Sequence, residues 1–419
     1  MLQVEDIRQA VRLQREELGL DGSGTPRELG KKVVPAFDFA TVISGVRRGG
    51  KSTLLRQLAK RAGKFHYASF EDARLSGFEA RDFYRLEGVL EEEFGPADLW
   101  LLDEVQNVAG WERYISSSLG RGKKFVITGS NSSLLSKELG TLLTGRHVTH
   151  ELFPFSYAEF LAFFGLKAGT ESVQRYLGEG GFPAYLKNER DEVLQGLFTD
   201  IITRDIMARH QIRDGRLLKD LALHLASNAG KEFSYNSLRK AFNVGSTNSV
   251  TQYCSYLEDG YLFFYLPRFD YSPARQLVAP KKAYCVDNGL AKANSLSFSS
   301  DKGRMLENAV FLALRRKHKE LFYFKEEHGE CDFLLKHKGT IIAAVQACNR
   351  LEDGNLDREV NGLALAMKKF GLKEGTIVTT DQEDRFEADG RTVNAVPAWK
   401  WLAGIAGAHY PVPPAKPRT

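Results

Sequence analysis

Gly45, Gly50, Lys51 and Ser52 fall at the spacing G-x-x-x-x-G-K-[ST], inside the run Gly45-Val46-Arg47-Arg48-Gly49-Gly50-Lys51-Ser52-Thr53. Glycine has no Cβ and tolerates positive φ, so glycines at 45, 49 and 50 let several backbone N–H groups converge on phosphate oxygens. Lys51 then brings a point charge to the β- and γ-phosphates, Ser52 offers a hydroxyl to Mg²⁺, and the amino end of a following helix adds its dipole. A second pair, Asp103 and Glu104, closes the apolar run Ala97-Asp98-Leu99-Trp100-Leu101-Leu102. Acids at the carboxyl end of a buried parallel strand face the ligand crevice. Asp103 is placed there to hold Mg²⁺ through water, and Glu104 to orient and deprotonate an attacking water. Together these residues make the chemistry of nucleoside triphosphate hydrolysis.

The elements that must position them can be read on both sides. Thr41-Val42-Ile43-Ser44 runs as a strand into Gly45, and Leu54, Leu55, Leu58 and Ala59 share one helical face after Lys51. Lys64 to Phe70 is a further strand, followed by a polar helical segment and the acid-bearing strand. The Trp111 helix separates that strand from Lys124-Phe125-Val126-Ile127-Thr128-Gly129, which ends in Ser130 and Asn131. Strand and helix alternate as a doubly wound parallel sheet requires. Asn131 or Ser130 is placed to contact the γ-phosphate or the lytic water, and either also suits a helix N-cap for the Leu134 segment.

Several motifs in order, Gly45 to Thr53, Phe70-Glu71-Asp72-Ala73-Arg74-Leu75, Leu102-Asp103-Glu104-Val105-Gln106, Thr128-Gly129-Ser130-Asn131-Ser132 and Gly145-Arg146 leading to Leu152-Phe153-Pro154-Phe155-Ser156, resemble the prokaryotic AAA+-type ATP-binding proteins of archaeal ATPase type. The resemblance covers nearly the whole chain. It implies a P-loop NTPase sheet of AAA+/ASCE type, ATP and Mg²⁺ as cofactors, Asp103 and Glu104 as the Walker B pair, and Asn131 as a sensor. It also implies a carboxyl-terminal domain similar to restriction-endonuclease-like folds. Adenine over guanine rests on the family, since no Asn-Lys-x-Asp guanine-reading motif is present. Arg146 and Arg204 are candidates for reading the γ-phosphate in cis or across an oligomer, as are Arg47 and Arg48 within the loop.

The expected organisation is a helical lead over 1–36, the ATPase domain with a helical extension over 37–214, a winged-helix-like segment over 215–272, an α/β restriction-endonuclease-like domain over 273–398 and a Pro-rich tail over 399–419. In the lead, Ile7, Ala10, Val11, Gln14 and Leu18 fall at helical spacing. In the winged-helix-like segment the third helix, around Ser246 to Leu257, contains no Lys or Arg in Ser246-Thr247-Asn248-Ser249-Val250-Thr251-Gln252. The phosphate attraction that dominates DNA affinity would have to come from elsewhere, for instance Arg239 and Lys240.

From Lys302 the order of helix, strands, helix and strand is similar to a nuclease superfamily that places a helix Glu, a strand Asp and a strand Glu-x-Lys around a metal. Glu307 and Asp332 match the first two positions. Gln346 stands where the third carboxylate belongs and Cys348 where the lysine belongs, which favours a pseudo-nuclease. The basic run Arg315-Arg316-Lys317-His318-Lys319 offers phosphate contacts or a solvated helix face.

Composition sets outer bounds. At 419 residues the chain suggests two to four domains, and 43% hydrophobic with 26% charged residues is that of a globular protein. A formal charge of +5 permits nucleic-acid contact without arguing for it. Neither a leader nor a membrane span is expected, and Cys254, Cys285, Cys331 and Cys348 form no C-x-x-C pair, so a cytoplasmic protein with reduced thiols is expected. The function expected is an AAA+-class, Mg²⁺-dependent ATPase whose turnover drives conformational change on nucleic acid or a protein partner. The alternatives are a slow nucleotide-controlled switch or scaffold and an ATP-dependent nuclease. DNA, a protein client and a second copy of the chain remain open as partners, with no membrane involvement.

Overall fold

The structure is a computed structural model that describes residues 2–20, 22, 24–130, 143–296 and 301–405. The chain divides into two compact units, Met1–Pro154 with Asp259–Tyr261, and Phe155–Glu258 with Leu262–Thr419.

The first unit is built on five parallel strands: β1 (Ala40–Ser44), β2 (His66–Ser69), β3 (Leu99–Asp103), β4 (Lys124–Gly129) and β5 (His147–Glu151). Their order is β2-β3-β4-β1-β5. Every residue of β1 is buried, because helices cover both faces and alternate side chains enter opposite layers. Ala40 and Val42 join one layer with Ile7, Val11, Phe83, Leu86 and Trp111. Ile43 joins the other with Leu54, Leu55, Leu58, Leu101 and Val126. The first layer is supplied by the helices Val4–Leu20, Phe83–Phe94 and Trp111–Leu119, the second by Lys51–Ala62. The amino-terminal helix therefore packs on this sheet, where Arg8 and Arg12 also pair with Glu93.

This strand order has a direct consequence for chemistry. β1 lies between β4 and β5, and β4 lies beside β3, so the carboxyl ends of β1, β3 and β4 are neighbours. That edge of an open parallel sheet is where ligands bind.

The second unit begins with helices at Tyr157–Phe164, Thr170–Glu179, Pro183–Asn188 and Asp191–Asp200, continued by a π-helical turn over Ile201–Met207. Ser156 and Glu159 form a capping box on the first of these, the Ser156 N–H donating to Glu159 Oε2 at 2.9 Å and the Glu159 N–H to Ser156 Oγ at 3.2 Å. Three helices follow, Arg216–Ser227, Tyr235–Ala241 and Thr247–Asp259, with β6 (Glu232–Phe233), β7 (Phe263–Pro267) and β8 (Lys281–Cys285). These strands pair antiparallel in the order β6-β8-β7, and the strand completing the β7 hairpin lies beyond residue 272.

The rest of the unit is a six-stranded mixed sheet of β9 (Leu321–Glu326), β10 (Gly329–His337), β11 (Thr340–Ala347), β12 (Glu374–Thr379), β13 (Asp384–Ala388) and β14 (Arg391–Pro397), ordered β13-β14-β12-β11-β10-β9. The helix Lys302–Arg315 precedes β9. Strands β9, β10 and β11 form an antiparallel meander. The helix Leu356–Phe370 then returns the chain to β12, which runs parallel to β11, as a crossover of that length permits. Among the described residues no helix is long and apolar enough to cross a membrane. All four cysteines are buried and unbridged.

Candidate functional site

The loop between β1 and the Lys51–Ala62 helix is held by close contacts that only glycine permits. At Gly45, φ is +155° and a Cβ would lie 2.1 Å from the Leu152 carbonyl oxygen; at Gly50, φ is +99° and a Cβ would lie 2.6 Å from Arg27 Nη1. Side chains at either position would force the loop off its own scaffold. The Lys51 side chain is 3% exposed, and its ammonium donates to the Gly45 carbonyl at 3.1 Å and the Val46 carbonyl at 3.2 Å. A third neighbour is Glu104 Oε1 at 3.3 Å. Arg47 pairs with Glu71 at 2.8 Å, while Arg48 is exposed at positive φ.

Asp103 and Glu104 occupy different environments one residue apart. Thr128, on β4, donates its hydroxyl to Asp103 Oδ1 and accepts the Glu104 N–H at 2.9 Å. Burial and the Glu104 charge push the Asp103 carboxyl up, against hydrogen bonds from Ser52 and Thr128. A divalent cation beside Ser52 and Asp103 would relieve that cost, so this donor pair fits a hard metal ion. Burial would also raise Glu104, but Lys51, Gln106 and Arg47 hold its carboxyl below the usual range. Glu104 sits at φ +50°, a conformation rare outside glycine that persists only where the surroundings enforce it.

Four residues near this loop escape the motif. Arg27, fully buried, donates from Nη1 to the Gly49 carbonyl and from Nη2 to the Phe153 carbonyl, both at 2.6 Å. Gln57 accepts the Arg27 N–H at 3.1 Å. Tyr261 donates its hydroxyl to Ser44 Oγ at 2.7 Å across 217 positions of sequence. Gln106 donates its amide nitrogen to Glu104 Oε2, leaving Oε1 buried with no hydrogen-bond partner among the described residues. Only Gln106 carried a local signal, two residues beyond the acidic pair.

Not every sequence candidate lies at this edge. Ser130 is buried 3.5 Å from Gln106 Nε2, but Asn131 lies outside the described residues. Arg146 precedes β5 at the opposite end of the sheet: its neighbour His147 pairs with Ala40, whereas Glu151 pairs with Ser44 before the loop. Arg146 reaches the Ser116 carbonyl at 3.5 Å and does not approach its own chain's loop. Arg204 lies on the π-helical turn of the second unit, 67% exposed and 3.6 Å from Asp200.

In the second unit Glu307 and Asp332 do meet, in a cavity of about 570 Å³ that Gln346 and Cys348 also line. Lys282, from β8, joins them. Gln346 Oε1 accepts the Asp332 N–H at 2.9 Å, and Gln346 Nε2 donates to Glu359 Oε2 at 2.7 Å. Burial and the Asp332 charge raise the Glu307 carboxyl to about 7, against Lys282 and the Tyr284 hydroxyl. Of the basic run, Arg316 reaches the Phe155 carbonyl at 3.3 Å and Arg315 lies over the Phe264 ring. The exposed positions of the Thr247–Asp259 helix, Asn248, Thr251, Gln252, Ser255 and Glu258, include no base.

Comparison with known proteins accords with the geometry of the first unit. Residues 38–161 match an AAA domain, and residues 170–301 match a domain of unknown function (DUF8612). The chain is 33% identical over 406 residues to the uncharacterized protein MJ1544 of Methanocaldococcus jannaschii, covering 90% of each chain. An uncharacterized protein of Haemophilus influenzae is 30% identical over 385 residues, covering 86% of this chain and 94% of that one. Among solved structures, AMPPCP-bound DnaA from Aquifex aeolicus matches at 15% identity and a TM-score of 0.25, covering 60% of this chain and 88% of that chain. The extent of these two matches makes this chain a member of the family that includes the uncharacterized protein MJ1544, and its residues 38–161 form an AAA domain.

Proposed function

We propose that the protein is a Mg²⁺-dependent ATPase of the AAA+ class, hydrolysing ATP to ADP and phosphate to drive a conformational change on nucleic acid or a protein partner. The observation that supports this most is the convergence of Lys51, Ser52, Asp103 and Glu104 at the carboxyl ends of neighbouring strands. When bound, Mg²⁺-ATP supplies the polarised γ-phosphoryl group. The Lys51 ammonium would exchange the Gly45 and Val46 carbonyls for phosphate oxygens, and Ser52 and Asp103 would hold the metal. Glu104, released from Lys51, takes a proton from the attacking water. Gln106 Oε1, the buried acceptor beside that carboxylate, holds the water's second proton.

Phosphate release by purified protein tests this reading. Release should require Mg²⁺ and vanish in Lys51→Ala; release that persists in Lys51→Ala contradicts it. A slow nucleotide-controlled switch is the second reading, favoured by the tie of Glu104 to both Lys51 and Gln106. Strong stimulation of turnover by duplex DNA, single strands or RNA favours a motor, and indifference to all three favours the switch.

For the carboxyl-terminal region we propose a restriction-endonuclease-like fold that is inactive. The helix, meander, helix and parallel strand from Lys302 to Thr379 support the fold, and Gln346 and Cys348 support the inactivity. Plasmid, linear and single-stranded DNA should stay intact with Mg²⁺ or Mn²⁺ at equimolar protein. Nicking that disappears in Asp332→Ala would restore the nuclease reading.

A further inference from the structure

The nuclease-like pocket implies a divalent metal, and its residues do not accommodate one. Lys282 Nζ lies 2.8 Å from Glu330 Oε1, 2.8 Å from Asp332 Oδ1 and 3.1 Å from Glu307 Oε1. An ammonium has three donors and no acceptor, and here each donor has a carboxylate. The second oxygen of Asp332 accepts the Ala347 N–H at 3.1 Å, and Glu307 Oε1 also accepts the Tyr284 hydroxyl at 2.7 Å. Among the described residues no group of three or more His, Cys, Asp or Glu side chains is arranged to hold a metal ion.

The lysine cannot easily move aside. Its side chain is 5% exposed, and its backbone lies in β8, the central strand of its sheet, opposite Leu266 on one side and Glu232 on the other. A divalent ion entering the same carboxylates would meet a buried, like-charged ammonium.

We propose that Lys282 is the resident cation of this pocket: its ammonium fills the position that a divalent metal takes in a nuclease, and the protein neither binds nor needs a metal there. Cys348 stands where the lysine of a nuclease would be, while another strand supplies a cation with a different task. It neutralises the carboxylates and presents no open coordination position to a phosphodiester.

The inference rests on the pseudo-nuclease reading, but its test reads metal binding and so fails independently of cleavage. Nucleotide-free, EDTA-treated full-length protein is titrated with Mn²⁺ up to about 1 mM, the weak end of oxygen-ligand sites, and free Mn²⁺ is followed by electron paramagnetic resonance. Wild type and Asp332→Asn should give the same curve. Lys282→Met should gain one further Mn²⁺ site, absent from Lys282→Met/Asp332→Asn, and Mn²⁺ should raise its melting temperature but not that of wild type. Mn²⁺ binding by wild type that Asp332→Asn removes overturns the proposal, as does a folded Lys282→Met that gains no site. Should Lys282→Met not fold, wild type against Asp332→Asn decides alone: identical curves uphold the proposal.

Discussion

Lys51 and Lys282 both stand against carboxylates, and the two proposals give them opposite tasks. Lys51 follows a glycine-rich loop, donates to two carbonyls of that loop, and touches a single carboxylate oxygen at 3.3 Å. Phosphate oxygens can replace those carbonyls, and the carboxylate that is released, Glu104, keeps the Gln106 amide as a donor. Lys282 sits in a central strand with a carboxylate for each donor, and nothing can replace its partners at comparable cost. A lysine among acids is thus a working group where its partners are exchangeable, and a fixed counter-ion where they are not.

Substitutions of the two lysines should separate along those lines. Lys282→Met leaves Asp332 and Glu307, with the part-exposed Glu330, without their cation, and breaking a buried pair costs about 3–5 kcal/mol; chemical denaturation should show a loss of that size, with ATP affinity unchanged. Lys51→Ala should do the reverse. Removing a charge-assisted contact of about 3 kcal/mol weakens binding about a hundredfold, readable by titration with a fluorescent ATP analogue, while the melting temperature falls less than in Lys282→Met. Equal melting losses would dissolve the distinction.

Asp287 sharpens it, being a buried carboxylate with no lysine against it. It accepts the N–H groups of Gly181 at 2.6 Å and Leu290 at 2.9 Å, and burial raises it to about 6 despite them. The folded state therefore favours the protonated acid. Its contribution is fully present below the unfolded value of about 3.9 and is lost as pH rises to about 6. Relative to Asp287→Asn, wild type should lose about 2–3 kcal/mol between those pH values, measured by urea denaturation at each pH. A flat difference would show that the hydrogen bonds outweigh burial. The smallest effect concerns Gln106: Gln106→Ala should lower kcat about tenfold, the value of one hydrogen bond near 1.4 kcal/mol. The proposed role puts Gln106 on the water and not on the nucleotide, so KM should not change. A rise in KM alone would assign it to binding.

The first site was legible because its chemistry is local. Gly45 to Ser52 and Leu99 to Glu104 are continuous stretches whose residue types state both element and role, and β1 and β3 end where those stretches turn polar. The residues that hold the loop are distant: Arg27 lies 22 positions before Gly49 and Tyr261 lies 217 after Ser44, and neither carries a pattern of its own. The pocket was half legible. Glu307 and Asp332 follow from the order of elements, but Lys282 reaches Asp332 across 50 positions from a different sheet. Glu359, which lines the same cavity and accepts the Gln346 amide, matches no position of the motif. The place of Arg146 at the amino end of β5 was not legible either, because it depends on strand direction.

The proposed hydrolysis turns on Glu104 acting as the base, released when Lys51 turns to phosphate. The most direct measurement is Mg²⁺-ATP hydrolysis by Glu104→Gln beside its ATP affinity. The substitution keeps the shape and one acceptor oxygen while removing the group that accepts the proton, so affinity should be retained or tightened as Lys51 loses its competing carboxylate. Hydrolysis should fall about a hundredfold or more. Turnover at the wild-type rate would contradict the assignment of the base.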